Sequence, residues 1–312
     1  MDEKINDLLI IGTGPSALTA AIYTTREDIQ TTLLEKSTIG GLAAVTDMID
    51  NYPGFPDGVT GMELAGLFQK HAEKFGAKIE FGEVSEIKSD GNTKTLIVDG
   101  KPMTAKAVLI STGSDWKKID VPGEKEYYGR GVHYCATCDG AFYRDKKLVV
   151  VGGGNSALQE SLFLTRFASH IDLLVRSKVT ASEILQKELE KQVNAGKITV
   201  HLNTQTNEIL ARDNKVYAVS ATKANQPVTI DCDGVFIFIG LQPNTQFLQG
   251  GIVKLDDYGL VITDNHYQTN VPGVFASGDV RSGATRQVIS AAGEGASAAI
   301  SIREYLDNVS RN

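Results

Sequence analysis

Twice along the chain an apolar run stops at a glycine-rich turn and passes directly into a helix-forming stretch. Asp7-Leu8-Leu9-Ile10-Ile11 ends at Gly12-Thr13-Gly14-Pro15-Ser16-Ala17, and Leu148-Val149-Val150-Val151 ends at Gly152-Gly153-Gly154-Asn155-Ser156-Ala157. In such a unit the first glycine permits the tight turn and the second lets a pyrophosphate approach the backbone. The third position has to be small so that helix and strand can pack, and Ala17 and Ala157 meet that need. Phosphate then sits at a helix N-terminus, where free amides and the helix dipole favour negative charge. Each unit continues alike: a helix to about Arg26 and a strand Thr31-Thr32-Leu33-Leu34 ending at Glu35, then a helix to about Phe167 and a strand Ile171-Asp172-Leu173-Leu174 ending at Val175-Arg176. The repeat predicts an α/β chain with two Rossmann-like dinucleotide-binding domains, each doubly wound and three layers thick.

A length of 312 residues suits about two domains with their own cores. Between the two units lie a helical segment over 62–75, strand-rich stretches over 79–110, and the apolar run Val108-Leu109-Ile110-Ser111 that breaks at Thr112-Gly113. After the second unit a strand-rich region closes with the buried run Gly234 to Gly240, and Leu241-Gln242-Pro243-Asn244-Thr245 carries the punctuation of a linker. The remainder, with Val274-Phe275-Ala276 and an alanine-rich helix over 287–306, has no nucleotide turn of its own. It is therefore assigned to the first domain. The expected division is 1–114 with 246–312 for the first domain, and 115–245 for a second one inserted in it.

The residue that ends the second strand of each unit discriminates between dinucleotides, because it reaches the adenosine ribose. Glu35 can accept a hydrogen bond from a free 2′-hydroxyl and would repel a 2′-phosphate, which suits FAD or NAD. Arg176, followed by Ser177 and Lys178, offers positive charge where NADP carries its phosphate. A solvated basic turn is the competing reading of those three residues.

Cys135 and Cys138 lie two residues apart just ahead of the second fingerprint, in a chain with 3 cysteines. Thiols at this spacing can close into a reducible disulfide, and the spacing commonly lowers one thiol's pKa so that it is nucleophilic at neutral pH. A zinc half-site is the alternative, but tetrahedral zinc needs four ligands, and His133 and the distant Cys232 are the obvious additions. Cys232 reads most simply as structural, and His71, His170, His201 and His266 are scattered. The net charge of -7 argues against nucleic acid as a partner. No run approaches the roughly 18 apolar residues of a membrane span, and Met1-Asp2-Glu3-Lys4 lacks the layout of a signal peptide. A cytoplasmic protein is expected, since a reducing compartment makes such a cysteine pair catalytic or metal-binding rather than structural.

With these features in order, the chain resembles the low-molecular-weight thioredoxin reductases, within the flavoprotein disulfide reductases that carry two dinucleotide sites. The resemblance covers nearly the whole length. It is carried by Gly12 to Ala17, Gly40-Gly41, Asn51-Tyr52-Pro53-Gly54, Ser111-Thr112-Gly113, Cys135-Ala136-Thr137-Cys138-Asp139, Gly152 to Ala157, Gly278-Asp279-Val280 and Arg286-Gln287. It implies FAD in the first domain, held by Gly12, Gly14, Pro15, Ser16, Ala17, Glu35, Gly40, Gly41, Leu42, Asn51, Thr112, Gly113, Gly278, Asp279, Arg286, Gln287 and Val288. It implies NADPH in the inserted domain, held by Gly152, Gly154, Asn155, Ser156, Ala157, Arg176 and Lys178, and it implies a homodimer. Carried over to these positions, Cys138 exchanges electrons with the flavin, Cys135 attacks the disulfide of thioredoxin, and Asp139 moves protons near them. Asp139 also reads as a turn or helix-cap residue before Gly140. The relay so implied runs from nicotinamide to FAD, to the Cys135–Cys138 disulfide, to thioredoxin, with the segments near 114–118 and 241–245 as hinges of the inserted domain.

Two departures bear on this. Family members show a His-Arg-Arg then Phe-Arg-Ala pattern at the nucleotide phosphate, whereas this chain reads Val175-Arg176-Ser177-Lys178-Val179-Thr180-Ala181, one residue shorter and with a single arginine. A charge-assisted contact contributes about 1.5 to 3 kcal/mol, so NADH, reduced ferredoxin or another reduced flavin carrier stand as alternative donors. The glycines at 152, 153 and 154 favour a nucleotide. Leu42 replaces a glutamine common after the glycine pair, and a flavin enzyme acting on oxygen, a quinone or ferredoxin would have no use for the dithiol.

Overall fold

The computed structural model of the chain describes residues 5–46 and 48–310. Met1-Asp2-Glu3-Lys4 lie outside the described residues. The chain separates into two compact units, one built from the residues through Asp115 and again from Gln242 onward, the other from Trp116–Leu241.

The first unit opens with the expected grammar. Strand β1 (Asn6–Ile11) runs through Gly12 to Gly14 into helix α1 (Pro15–Thr25), whose first position is Pro15, a residue suited to a helix start because its missing N–H would have no partner there. Strand β2 (Thr31–Glu35) follows, then the short helix α2 (Gly41–Ala44) and α3 (Gly61–Lys74). The Thr60 hydroxyl caps α3 by accepting the Glu63 N–H at 3.2 Å. Strands β3 (Lys78–Phe81), β4 (Val84–Asp90), β5 (Thr93–Val98) and β6 (Lys101–Ile110) complete most of a seven-stranded sheet in the order β3-β2-β1-β6-β5-β4. Its β3, β2, β1 and β6 are parallel, and β4 and β5 form an antiparallel margin. Alternation along β1 decides which face each residue serves. Leu8 and Ile10 pack with Ala17, Ala21, Phe275 and Ile302, while Leu9 and Ile11 pack with Leu96, Val108, Val261 and Val274.

The crossing strand β7 (Ser114–Trp116) leads into the second unit, where β8 (Val132–His133), helix α4 (Ala136–Asp139) and a 3₁₀ turn (Gly140–Tyr143) precede the second fingerprint. Strand β9 (Lys147–Val151), helix α5 (Asn155–Leu164), strand β10 (His170–Leu174), helix α6 (Glu183–Asn194) and strand β11 (Ile198–His201) repeat the βαβ pattern. Helix α5 stops at Leu164, short of the expected 167: the Thr165 hydroxyl donates to the Leu162 carbonyl at 2.7 Å and the chain turns. Strands β12 (Thr204–Arg212), β13 (Lys215–Lys223) and β14 (Gln226–Asp231) form a separate antiparallel sheet, and β15 (Gly234–Ile237) returns to the parallel one, ordered β11-β10-β9-β15-β8. Leu148, Val150 and Phe236 pack with the residues of α5, whereas Val149, Val151, Val235 and Ile237 pack with Val216, Val219 and Ile230. The third layer of this unit is thus a β-meander.

The return crossing, β16 (Leu241–Pro243), pairs with β7 as a two-stranded ribbon, so the first three residues of each expected hinge segment form a hydrogen-bonded strand. Strand β17 (Val274–Ala276) then joins the first sheet beside β6, in the register Val274 to Val108. Helix α7 (Val288–Ser310) closes the chain against α1. Gly295 sits at that helix crossing. A Cβ there would lie 2.1 Å from the Ser16 carbonyl oxygen, so only glycine lets α7 approach the start of α1 this closely.

Candidate active site

The first fingerprint is held by backbone geometry before any ligand is considered. Gly12 adopts φ +102°, and a Cβ on it would lie 2.5 Å from the Ser111 carbonyl oxygen at the end of β6. Gly14, by contrast, faces open space: a Cβ there meets nothing within 4 Å. No side chain caps α1 at Gly14, so the amides of its first turn remain for an anion. This combination of a tight turn, an uncapped helix start and clearance before the second glycine fits a dinucleotide pyrophosphate.

Glu35, at the end of β2, is buried at 8% exposure. One carboxylate oxygen accepts the Thr13 hydroxyl at 2.5 Å and the other the Ser37 N–H at 2.8 Å. Thr13 also receives the Gly40 N–H on its carbonyl at 3.0 Å, which ties the Gly40-Gly41 turn to the fingerprint, and a Cβ on Gly41 would stand 3.8 Å from Gly14 Cα. Leu42 belongs to α2 directly after this turn. Thr112 and Gly113 follow β6, where the Thr112 hydroxyl donates to the Asn244 carbonyl at 2.7 Å.

The residues after β17 close the same region. The Ser16 and Ser277 hydroxyls are 2.6 Å apart, Ser111 and Ser277 3.0 Å apart, and a Cβ on Gly278 would reach Ser16 Cβ at 2.9 Å. Glu294 of α7 accepts the Gly278 N–H at 2.8 Å and is clasped by Arg281 through two nitrogens, at 2.6 and 3.1 Å. Desolvation pushes the Asp279 carboxyl up to about 6, with Glu294 adding to the effect and Arg286 opposing it. Asn51 donates to Gln287 Oε1 at 3.0 Å, which joins two of the expected flavin residues, and Arg286 holds φ +60° immediately before. Val288 is the first residue of α7.

The second fingerprint has the same skeleton and a different edge. Gly152 adopts φ +147°, with a would-be Cβ 2.4 Å from the Phe238 carbonyl oxygen and 2.8 Å from Ala157. Gly154 is open, with Thr180 Oγ1 nearest at 3.9 Å, and α5 again lacks a side-chain cap. The segment after β10 folds back over this turn: the Thr180 N–H donates to the Gly153 carbonyl at 2.7 Å and the Ser182 N–H to Asn155 Oδ1 at 2.8 Å. Ser156 follows Asn155 in the exposed first turn of α5. Arg176 and Lys178 are exposed on the returning segment and make no ion pair among the described residues. Thr180 and Ser182, which shape this segment, escape a sequence reading because the fingerprint does not specify them.

Cys135 and Cys138 are joined by a disulfide. Cys135 caps α4, where its Sγ accepts the Cys138 N–H at 3.1 Å. That N–H favours negative charge on Sγ once the bond opens. Asp139 is the last residue of α4, and its Oδ2 lies 3.2 Å from His133 Nδ1. Among the described residues no group of three or more His, Cys, Asp or Glu is arranged to hold a metal ion. His133, weighed from the sequence as a zinc ligand, is engaged by Asp139 and Tyr143. Cys232 is free and buried, and burial above all, with Asp233 adding, pushes its thiol up to about 12. It stays a protonated packing residue. No helix among the described residues is long and apolar enough to cross a membrane.

A coupled thiol pair next to a dinucleotide fold defines a class, and the family model described as pyridine nucleotide-disulphide oxidoreductase matches residues 6–295. The chain belongs to that family. Within it, the chain is 40% identical over 312 residues to the thioredoxin reductase of Bacillus subtilis, covering 99% of this chain and 97% of the other. It is 39% identical over 313 residues to that of Listeria monocytogenes, covering 99% and 96%. The crystal structure of thioredoxin reductase from Streptococcus pyogenes matches with a TM-score of 0.92 at 37% identity, over 97% of this chain and 99% of that one.

Proposed function

We propose that the chain is a thioredoxin-disulfide reductase that works through Cys135 and Cys138 and draws on FAD and a reduced nicotinamide dinucleotide. The observation that carries this reading is the Cys135–Cys138 disulfide at the start of α4, in a chain with two uncapped, glycine-opened helix starts. The two dinucleotides, when bound, supply a two-electron path that ends at this disulfide. In the first unit Gly12, Gly14, Pro15, Ser16 and Ala17 hold the pyrophosphate of FAD and Glu35 its ribose. Gly40, Gly41, Leu42, Asn51, Thr112, Gly113, Gly278, Asp279, Arg286, Gln287 and Val288 line the rest. In the second unit Gly152, Gly154, Asn155, Ser156 and Ala157 hold the nicotinamide dinucleotide, and Arg176 and Lys178 attract a 2′-phosphate.

Opening the disulfide requires one sulfur to leave as thiolate, and the Cys138 N–H at Cys135 Sγ stabilises charge there. Cys135 is therefore assigned the attack on thioredoxin and Cys138 the closing step that regenerates the disulfide. Asp139 gives and takes the proton of the adjacent thiol. The protein acts as a homodimer in the cytoplasm, where thiols are kept reduced. NADPH is the assigned donor on the charge of Arg176 and Lys178.

The test is anaerobic titration of the purified flavoprotein with NADPH and with NADH, followed by oxidised thioredoxin. NADPH is expected to bleach the flavin at lower concentration than NADH, and thioredoxin is expected to restore the colour. If neither nucleotide bleaches the flavin while dithionite does and thioredoxin is then reduced, the donor is wrong and the disulfide assignment stands. If thioredoxin takes no electrons from the reduced protein, the function is wrong.

A further inference from the structure

Asp139 does not stand alone. Its Oδ2 is 3.2 Å from His133 Nδ1, and the far nitrogen of the same ring, Nε2, is 2.7 Å from the Tyr143 hydroxyl. His133 is buried at 6% exposure. Its ring stacks on Phe236 with centroids 5.1 Å apart and meets Tyr143 edge-on at 5.3 Å. Tyr143 is packed edge-on against Phe236 as well, and it occupies the space that Gly234 leaves free, where a Cβ would come within 2.4 Å of the phenol ring. Phe236, Tyr143 and the space left by Gly234 thus fix the imidazole in a plane where both nitrogens have partners.

The partners also fix its protons. A carboxylate only accepts, so with Asp139 ionised Nδ1 carries the hydrogen and donates, which leaves Nε2 as an acceptor for the Tyr143 O–H. Tyr143 keeps that proton, because burial first, and then the charges of Asp139 and Asp233, push its phenol well above the usual range. The other carboxylate whose charge reaches Tyr143 is committed elsewhere: Asp233 accepts the Lys147 N–H at 2.9 Å and faces Lys146 at 3.8 Å.

We propose that His133, oriented by Tyr143, is the positioning residue of Asp139 in the thiol-disulfide step: its Nδ1–H holds Oδ2 and leaves Oδ1 to exchange the proton of the adjacent thiol. This rests on the function proposed above. In the exchange with thioredoxin two S–H bonds are lost at Cys135 and Cys138 and one S–S bond forms between them. The acceptor's S–S bond breaks and two S–H bonds form on it, so two electrons and two protons pass from dithiol to acceptor. Asp139 takes up the proton that Cys138 loses as its sulfur closes on Cys135, and returns it to the departing thiolate or to solvent.

The experiment uses the flavin-loaded protein reduced with dithiothreitol, freed of it by gel filtration, and mixed with oxidised thioredoxin across a range of pH. Variants are His133→Phe, His133→Asn, Tyr143→Phe, Asp139→Asn and the double variant His133→Phe with Asp139→Asn. General acid–base catalysis commonly contributes 10²- to 10⁴-fold, so loss of the group that aims it should slow the exchange by about tenfold or more in His133→Phe. The half-saturating thioredoxin concentration should stay within about twofold, and the pH profile of the exchange should differ from that of the wild type. Asparagine, whose amide can replace Nδ1–H, should recover most of the rate, and Tyr143→Phe should show a smaller loss of the same kind. In the Asp139→Asn background His133→Phe should change the rate by no more than about twofold, as expected of residues that act as one unit. Superimposable pH profiles for wild type and His133→Phe, or multiplicative losses in the double variant, overturn the inference. A wild type that reduces no thioredoxin overturns the functional reading, and this inference falls with it.

Discussion

The two fingerprints share a backbone and differ in what surrounds them. At Gly12 to Ala17 the discriminating residue, Glu35, is buried and bonded to Thr13 and Ser37, and Thr13 is itself bonded to the Gly40 turn. At Gly152 to Ala157 the corresponding charges, Arg176 and Lys178, stand on an exposed segment tied down by its neighbours Thr180 and Ser182 rather than by themselves. The first site is thus integral to the fold of its unit. On the function proposed above, the second would meet its ligand with side chains that the fold does not need. A change at the first edge should cost stability and flavin together, and a change at the second should cost nucleotide preference alone.

The largest effect expected from this contrast comes from the first glycine of each turn. Gly12→Ala and Gly152→Ala each place a Cβ about as close to a backbone oxygen, at 2.5 and 2.4 Å, with a positive φ in addition. Strain and overpacking together should cost about 3 kcal/mol or more in either unit. Gly12→Ala should yield colourless protein, while Gly152→Ala should stay yellow and lose reduction by nicotinamide nucleotide, as absorbance and anaerobic titration will report. Colour retained in the first or lost in the second would break the comparison.

Asp279 gives the next largest effect. In the flavin-free protein its folded-state pKa is raised from 3.8 to about 6, so between those values the native state keeps a proton that the unfolded chain has released. Stability from this group is therefore full below the lower value, falls as pH rises, and is gone above the higher, a change of about 3 kcal/mol at most. Urea unfolding of the flavin-free protein from pH 4 to pH 7 should show this decline in the difference between wild type and Asp279→Asn. A difference independent of pH would mean that the half-buried carboxyl is not protonated there.

The smallest effect on the fold should come from Arg176→Ala and Lys178→Ala. Both side chains are exposed, so unfolding free energy should change by no more than about 0.5 kcal/mol. The KM for NADPH should nonetheless rise about tenfold, in line with the loss of one charge-assisted contact, with the KM for NADH unchanged. Equal changes for the two nucleotides would remove the assignment of these residues to a 2′-phosphate.

What was legible in the sequence follows the same division. The strand-turn-helix units could be read because the turn demands glycine at Gly12 and Gly152, and Glu35 because it ends a strand at a fixed distance from that turn. The thiol pair stood out by its spacing, which left a zinc half-site as the alternative to a disulfide. Glu294 and Arg281, which anchor the Gly278 turn, were not, since their pairing joins a loop to a helix that no local pattern connects. Gly295 reads as one more small residue in an alanine-rich helix until α7 is laid against Ser16. His133 was visible only as a stray histidine near two cysteines, because the topology of β8, α4 and the following turn is what brings Asp139 and Tyr143 to its two nitrogens. The segment 241–245 was read from its proline and asparagine as a linker, whereas pairing with the distant β7 makes Leu241–Pro243 a strand.

The central claim, that electrons leave this protein through the Cys135–Cys138 pair, is tested most directly by trapping thiols during turnover. Protein incubated anaerobically with NADPH is quenched with an alkylating reagent before and after oxidised thioredoxin is added, and the labelled peptides are identified by mass spectrometry, alongside a Cys138→Ser variant. Label is expected on both Cys135 and Cys138 before thioredoxin, with loss of that label in step with the appearance of reduced thioredoxin, and no sustained turnover by the variant. Thioredoxin reduced at the wild-type rate by Cys138→Ser, or with Cys135 and Cys138 never labelled, would contradict it.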